Sequence, residues 1–259
     1  MLVSEVMLQQ TPVARVEPVW REWMRRWPRP ADLAAAAPGE AVRAWGRLGY
    51  PRRALRLHEQ ARAILDRYAG KVPDTVAELR TLPGVGAYTA AAVACFAYRK
   101  TVPVVDTNVR RVLTRTLLGE GQAAATLNSR ELALAEAALP DDPDEAVVWN
   151  VAVMELGALV CTARSPRCDQ CPVADLCAWN LAGRPAYAGP TRRGQGWHGT
   201  DRQARGALLH ALRSADGAVT GQALELAWAD DQQRMRCLHS LVADGLVEPV
   251  DENAYRLPA

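Results

Sequence analysis

The stretch LPGVGAYTAAA, Leu82 to Ala92, places two glycines around a valine between two segments of helical periodicity. A chain that turns this tightly between helices must lay one back against the other, so the turn constrains everything around it. A Walker-type loop needs G-x4-G-K-[ST], and a dinucleotide fingerprint needs G-x-G-x-x-G after a strand. Neither fits here: no lysine follows, no third glycine stands at the right place, and a helix precedes the turn. Glycines allow positive φ and leave the backbone bare, so N–H groups at the start of the following helix are open to an anion. Leu82, Gly84, Val85 and Gly86 are thereby candidate contacts to nucleic-acid phosphates, which need carry no sequence information. A turn that only packs two helices is the plainer alternative.

The pattern is helical through residues 1–160, with segments expected at 1–10, 13–26, 38–47, 52–68, 73–80, 87–97, 107–118, 129–138 and 145–159. No run of alternating strands interrupts them, which predicts an all-α domain. Trp20, Trp23, Met24 and Trp27 read as its core. Residues 183–202 form a linker rich in Gly, Pro and Arg, with little apolar content. Residues 203–259 then read as three helices, 203–213, 220–228 and 231–244, and a short hairpin with ENA at its turn. Three helices and a hairpin predict a small winged-helix-like domain. Its third helix offers only Arg234 and Arg236, so packing on the body or contact with another protein is expected of it rather than DNA binding.

The net charge of +2 hides an asymmetry. Residues 214–259 hold eight acids against three arginines, a net −5, which leaves +7 on the other 213 residues. A basic body suits a polyanion and an acidic tail is repelled by one. No run of 18 apolar residues is present, and the start MLVSEVMLQQTPV has no basic region ahead of its apolar part. These features predict a cytoplasmic protein without a membrane span, nucleoid-associated if bacterial.

Four of six cysteines fall in one window, Cys161, Cys168, Cys171 and Cys177, spaced C-x6-C-x2-C-x5-C. In a reducing compartment such a cluster points to metal rather than disulfides. Zinc sites usually pair two C-x2-C knuckles, and only one is present; the unequal arms also suit a [4Fe–4S] cluster, each iron taking one thiolate. Spacing alone leaves both open. Arg164 and Arg167 lie within the loop, where basic side chains could meet backbone phosphates; a purely structural staple is the alternative. Cys95 and Cys237 stand alone and read as buried small hydrophobes.

Two carboxylates stand out. Asp106, in VPVVDTNVRRVL, follows an apolar run and opens a helix, where the dipole and free N–H groups suit a carboxylate. A simple helix cap would look the same. Glu5 sits among apolar neighbours in LVSEVML, a setting in which desolvation favours the protonated acid. Gln9 lies one helical turn further on and Gln10 beside it. Two carboxyl groups in opposed environments are the pattern that breaks glycosidic bonds, with one as proton donor and one as charge stabiliser.

Taken together, LVSEVMLQQTPV, WGRLGYPRRALRLH, LPGVGAYTAAAV, VPVVDTNVRRVL, MELGALVC and the cysteine spacing resemble the MutY-type adenine DNA glycosylases, a branch of the helix-hairpin-helix, Gly/Pro-Asp superfamily. The resemblance covers residues 1 to about 180. The cysteine motif is shared with endonuclease III relatives, whereas the Glu5–Gln9–Gln10 stretch is more specific. The resemblance implies an all-α helix-hairpin-helix DNA glycosylase domain over 1–182 with an iron–sulfur loop at 161–177, followed by the linker and the small domain at 203–259. Glu5 then matches the family's general acid and base, and Asp106 the aspartate that stabilises the oxocarbenium-like sugar. Asn108 matches an asparagine that organises that site, and Gln9 a wedge into the duplex, with Gln10 beside it as a further DNA contact. Cys161, Cys168, Cys171 and Cys177 match the ligands of a [4Fe–4S] cluster.

Tyr88 falls where bifunctional relatives have a lysine, and having no amine it cannot form an imine. The implied enzyme is a monofunctional, monomeric glycosylase. It acts on double-stranded DNA, removing adenine mispaired with 8-oxoguanine or guanine and leaving an abasic site. A thymine or uracil mismatch glycosylase of the same superfamily and a catalytically inactive iron–sulfur DNA-binding protein are the competing expectations. Three departures are visible. Relatives of this type carry a further segment ahead of the glutamate helix, which implies chain upstream of Met1. Many end in a MutT-like domain, for which residues 203–259 are too few. Pro51 stands where many have a second tyrosine.

Overall fold

The computed structural model describes residues 1–186 and 196–259. Helices α1 to α5 are Leu2–Leu8, Val13–Arg26, Pro30–Ala35, Pro38–Trp45 and Arg52–Tyr68. Helices α6 to α10 are Val76–Leu79, Ala87–Tyr98, Thr107–Leu118, Ser129–Ala137 and Pro143–Glu155, and α10 runs into a π-helical turn at Leu156–Val160. A short α11, Ala178–Leu181, closes the cysteine loop. The C-terminal segment contains α12 (Asp201–Ser214), β1 (Val219–Thr220), α13 (Gly221–Ala227), α14 (Asp231–Ala243), β2 (Glu248–Asp251) and β3 (Ala254–Arg256). Its strands form one antiparallel sheet in the order β1-β3-β2, with a register shift between Pro249 and Asp251. No helix of the described residues is long and apolar enough to cross a membrane.

Local chemistry explains most boundaries. Asp106, Asn128, Asp142, Thr75, Thr200, Thr220 and Asp230 each accept a backbone N–H at the start of a helix. The expected first helix stops at Leu8, because Gln10 takes φ +55 and Pro12 follows. The segment at 73–80 shrinks to one turn behind its Thr75 cap. Helix α10 starts two residues early, with Pro143 in its first turn and Asp142 as cap. Helices α3 and α11 were invisible in the pattern, since six and four residues are too few to show a period.

The contacts divide the chain into two compact groups. One comprises residues 74–80 and 85–186, with Met1. Its interior includes Ala92, Cys95 and Val104 in one cluster and Val109, Leu113 and Ala135 in another.

The other comprises residues 2–73, 81–84 and 196–259. A single core unites its two ends: Val6, Met7, Trp23, Trp45 and Leu57 pack in the same cluster as Leu208, Leu212, Leu238 and Leu257. Reciprocal arginines fasten them. Arg43 donates to the carbonyls of Arg213 and Ala215, and Arg213 donates to those of Val42 and Gly46. Burial without a carboxylate partner pushes Arg213 down to about 10. Gly39 N–H donates to Pro258 O at 2.8 Å, and a Cβ on Gly39 would lie 2.3 Å from that oxygen. The two basic residues of α14 are both occupied: Arg234 is buried against Asp231 and Trp228 O, and Arg236 pairs with Asp201 at 2.8 Å.

Candidate active site and cysteine loop

Asp106 ends an extended run and caps α8. Its Oδ1 accepts the N–H groups of Asn108 at 2.8 Å and Val109 at 2.7 Å, and its Oδ2 accepts Asn108 Nδ2 at 2.8 Å. Three donors fix the carboxylate in one orientation. The run before it is held by Asn150 of α10, which is fully buried. Asn150 Oδ1 accepts Val104 N–H at 2.8 Å, and Nδ2 donates to Val102 O at 3.1 Å and Ala146 O at 3.0 Å. Sequence reasoning passed over Asn150. A lone amide in the apolar helix AVVWNVAVM is nonetheless a signal, because a buried amide must find partners.

Asn108 leads further. Its Oδ1 accepts Arg111 Nη2 at 2.7 Å, while the same guanidinium donates to Gly157 O at 2.6 Å and, through Nε, to Cys161 O at 2.7 Å. Burial lowers the Arg111 pKa, and Cys161 and Asp106 partly offset that effect. Gly157, in the π-helical turn, touches Asn108 so closely that a Cβ there would lie 2.6 Å from Asn108 Cβ. Asp106, Asn108, Arg111 and the first cysteine of the loop therefore form one connected network.

Tyr88 is half-buried near the start of α7 and packs against the Ala92–Cys95–Val104 cluster. The N-cap of α7 is the exposed Gly86, which has no side chain to cap the helix. The side chains of Leu82 and Val85 are buried, so of the four turn residues only Gly84 and Gly86 present themselves outward. Gly84 takes φ +71, which explains the glycine there.

The four loop cysteines are unpaired and line one cavity, together with Arg115, Pro166, Val173 and Trp179. Burial raises the Cys171 thiol pKa, and the nearby Cys161, Cys177 and Cys168 add to the rise. Among the described residues no three Cys, His, Asp or Glu side chains converge tightly enough to hold a single metal ion. Four thiols around one cavity fit a multi-iron cluster in which each iron takes one thiolate. Arg115 braces the loop, donating to the carbonyls of Gly121, Thr162 and Ala163 and to Cys161 Sγ at 3.3 Å, with its guanidinium over the Trp179 ring at 4.5 Å. Arg164 and Arg167 are both exposed, and Arg167 is tied to Leu159 O.

Glu5 belongs to the other compact group, on α1, half-buried between the buried Leu2 and Val6. Gln9 is half-buried just beyond the helix, and Gln10 is exposed. Sequence reasoning missed two neighbours in this group, Tyr50 and Arg53. Tyr50 is 53% exposed at φ +47, an unusual backbone for a bulky residue, and Arg53 lies beneath its ring.

Residues 3–136 match the HhH-GPD superfamily of base excision DNA repair proteins, and residues 161–177 match the iron–sulfur binding domain of endonuclease III. An adenine DNA glycosylase of Mycobacterium tuberculosis is 55% identical over 99% of this chain and 84% of its own length. The chain belongs to the adenine DNA glycosylase family. Solved structures share the fold. A thermostable thymine-DNA glycosylase aligns with a TM-score of 0.63 at 28% identity, over 70% of this chain and 83% of its own. An endonuclease III in a non-covalent DNA complex aligns with a TM-score of 0.61 at 26% identity, over 70% and 83%. The second match runs from Cys161 to Cys177, and the protein carries a [4Fe–4S] cluster. The first match spans Glu5, Tyr88 and Asp106.

Proposed function

We propose that this protein is a monofunctional adenine DNA glycosylase of base excision repair, acting on adenine opposite 8-oxoguanine or guanine in double-stranded DNA. The observation that carries the chemistry is the Asp106 carboxylate, held by three N–H donors at the head of α8. The choice of adenine rests on the near full-length similarity to adenine DNA glycosylases.

An N-glycosidic bond inside a stacked duplex is out of reach, so the target nucleotide is extruded, a step made cheaper by a mismatch. The turn before α7, through the exposed Gly84 and Gly86, holds backbone phosphate, and Arg164 and Arg167 add charge from the cysteine loop. Gln9 and Gln10 enter the duplex, and the exposed Tyr50 ring offers a platform for a displaced base. Glu5 gives a proton to adenine, and the C1′–N bond breaks with its electron pair leaving on the base. Asp106, aligned by Asn108, stabilises the positive charge that develops on the sugar. Glu5, now a carboxylate, takes a proton from the water that adds at C1′. Tyr88 supplies no amine, so no imine forms and the strand stays intact. The cluster, when bound, shapes the loop at 161–177 and supplies no base chemistry.

The same reading makes residues 1–182 the catalytic domain, with 183–202 a linker, of which 187–195 lie outside the described residues, and 203–259 a winged-helix-like domain packed on the body. It also makes the protein a cytoplasmic monomer. The test is single-turnover excision, followed by alkali cleavage, on duplexes carrying A:8-oxoG, A:G, T:G and U:G. Cleavage at adenine that disappears in Glu5→Gln supports the reading. Cleavage at T:G or U:G alone moves the protein to the thymine or uracil branch, and binding without excision of any base makes it a DNA-binding protein only.

A further inference from the structure

Helix α1 has seven residues, well below the length at which an isolated helix is stable in water. Something outside it must fix the direction in which Glu5 points. Arg53, on α5, is 8% exposed, and its Nη1 lies 3.2 Å from Val6 O and 3.4 Å from Met7 O. Those carbonyls belong to the last turn of α1, where no intrahelical N–H is left to bond them and where a cation also meets the negative end of the helix dipole. One of the two directly follows Glu5 in the chain.

The guanidinium has a second contact. Its centre lies 4.7 Å from the centroid of the Tyr50 ring, within cation–π range. Tyr50 stands at the turn before α5 with φ +47, a conformation that costs free energy in a residue of this size. Its ring is the exposed aromatic surface of that turn. Arg53 thus touches both the end of the Glu5 helix and the underside of the Tyr50 ring.

The charge itself is expensive. Burial lowers the Arg53 pKa, and the other cation nearby, Arg56, lowers it further; among the described residues no carboxylate pairs with it. A hydrophobic residue of similar volume would avoid that cost and is often neutral or stabilising at such a site. A buried arginine placed on two helix carbonyls and one strained aromatic is therefore better explained by position than by stability.

We infer that Arg53 is a positioning residue that joins the Glu5 helix and the Tyr50 turn into one rigid element, so that the proton donor and the base-stacking ring reach the DNA in fixed relation. The inference rests on the proposed roles of Glu5 and Tyr50. It predicts that loss of the guanidinium damages the chemical step more than DNA affinity, because a misplacement of about 1 Å can cost about a hundredfold in rate.

The test compares wild type, Arg53→Met, Arg53→Lys and Glu5→Gln on an A:8-oxoG duplex, measuring single-turnover excision across pH, duplex affinity and thermal melting. Arg53→Met is expected to lose at least about tenfold in excision rate, with affinity within about threefold and a melting temperature near that of wild type. Arg53→Lys, which reaches the carbonyls as a point charge without the flat stacking face, should recover part of the rate. The alkaline limb of the pH–rate profile, where the proton donor loses its proton, should shift in Arg53→Met, whereas a packing defect would scale the profile without shifting it. Arg53→Met excising within about twofold of wild type overturns the inference. So does a loss that Arg53→Lys does not relieve and that follows the melting temperature. Excision surviving in Glu5→Gln would instead overturn the acid role of Glu5, whatever the Arg53 variants do.

Discussion

Replacing Gly157 with alanine probes the network around Asp106 without touching any residue assigned to the chemistry. The added Cβ would stand 2.6 Å from Asn108 Cβ and 2.9 Å from Asn108 O. Ordinary carbon contacts are about 3.5–4.0 Å, so either the π-helical turn or the first turn of α8 must retreat by roughly 1 Å. If Asn108 moves, its 2.8 Å bond to Asp106 Oδ2 stretches out of hydrogen-bond range, and its bond to Arg111 goes with it. Overpacking of this kind costs about 1–3 kcal/mol. In a chain of this size each kcal/mol shifts the melting temperature by about 2–4 °C, so a drop of a few degrees up to about 10 °C is expected. The displacement at the aspartate costs more in rate, on the order of a hundredfold. Single-turnover excision on an A:8-oxoG duplex, thermal melting and iron quantitation would be measured on the same preparation. A Gly157→Ala protein that keeps its iron and excises at the wild-type rate would refute the idea that this close contact aligns Asn108 and Asp106.

Arg115→Met removes a buried guanidinium from two cysteine-loop carbonyls, from Gly121 O and from the face of Trp179. It should cost about 3 kcal/mol or more and lower the iron content of the purified protein, as checked by denaturant melts and iron assay. Tyr88→Lys introduces an amine where bifunctional relatives have one, so borohydride should trap a covalent DNA adduct that wild type never gives. Asp201, held to about 2 chiefly by its hydrogen bond to Arg236 and also by Gln233, contributes stability that is fully present above its ordinary value of 3.8 and is lost as pH falls through about 2. The gap in urea midpoint between wild type and Asp201→Asn should therefore narrow as pH drops from about 4 to about 2.

The parts of this protein that sequence exposes are those written in local chemistry. Asp106 announces itself as a cap because an acid after VPVV and before a helical period has few other uses, and the structure places three donors on it. The cysteine window is legible because four thiols so close in a reducing chain have little to do but hold metal. Gly84 shows because positive φ demands it. What stays hidden depends on partners distant in the chain. Arg53 reads as one basic residue among several in GYPRRALRLH, and only the fold brings it to Val6 and Met7. Asn150 shows its purpose once Val102 and Val104 lie beside it. The acidic C-terminal segment looks detachable behind its linker, yet its leucines complete a core begun by Val6 and Trp23. No periodicity in either segment reports that shared burial.

That shared core has a consequence for how the protein comes into being. The layer that holds the Glu5 helix joins segments far apart in the sequence, Gly39 N–H meeting Pro258 O across more than two hundred positions. Residues 74–80 and 85–186, by contrast, pack mostly among themselves, so they have most of their partners before residues 196–259 are made. On a ribosome the half with Asp106 and the cysteine loop is able to fold while the half with the proton donor still waits for its closing leucines. Catalytic competence would then arrive only once residues 196–259 have joined the core beneath the Glu5 helix.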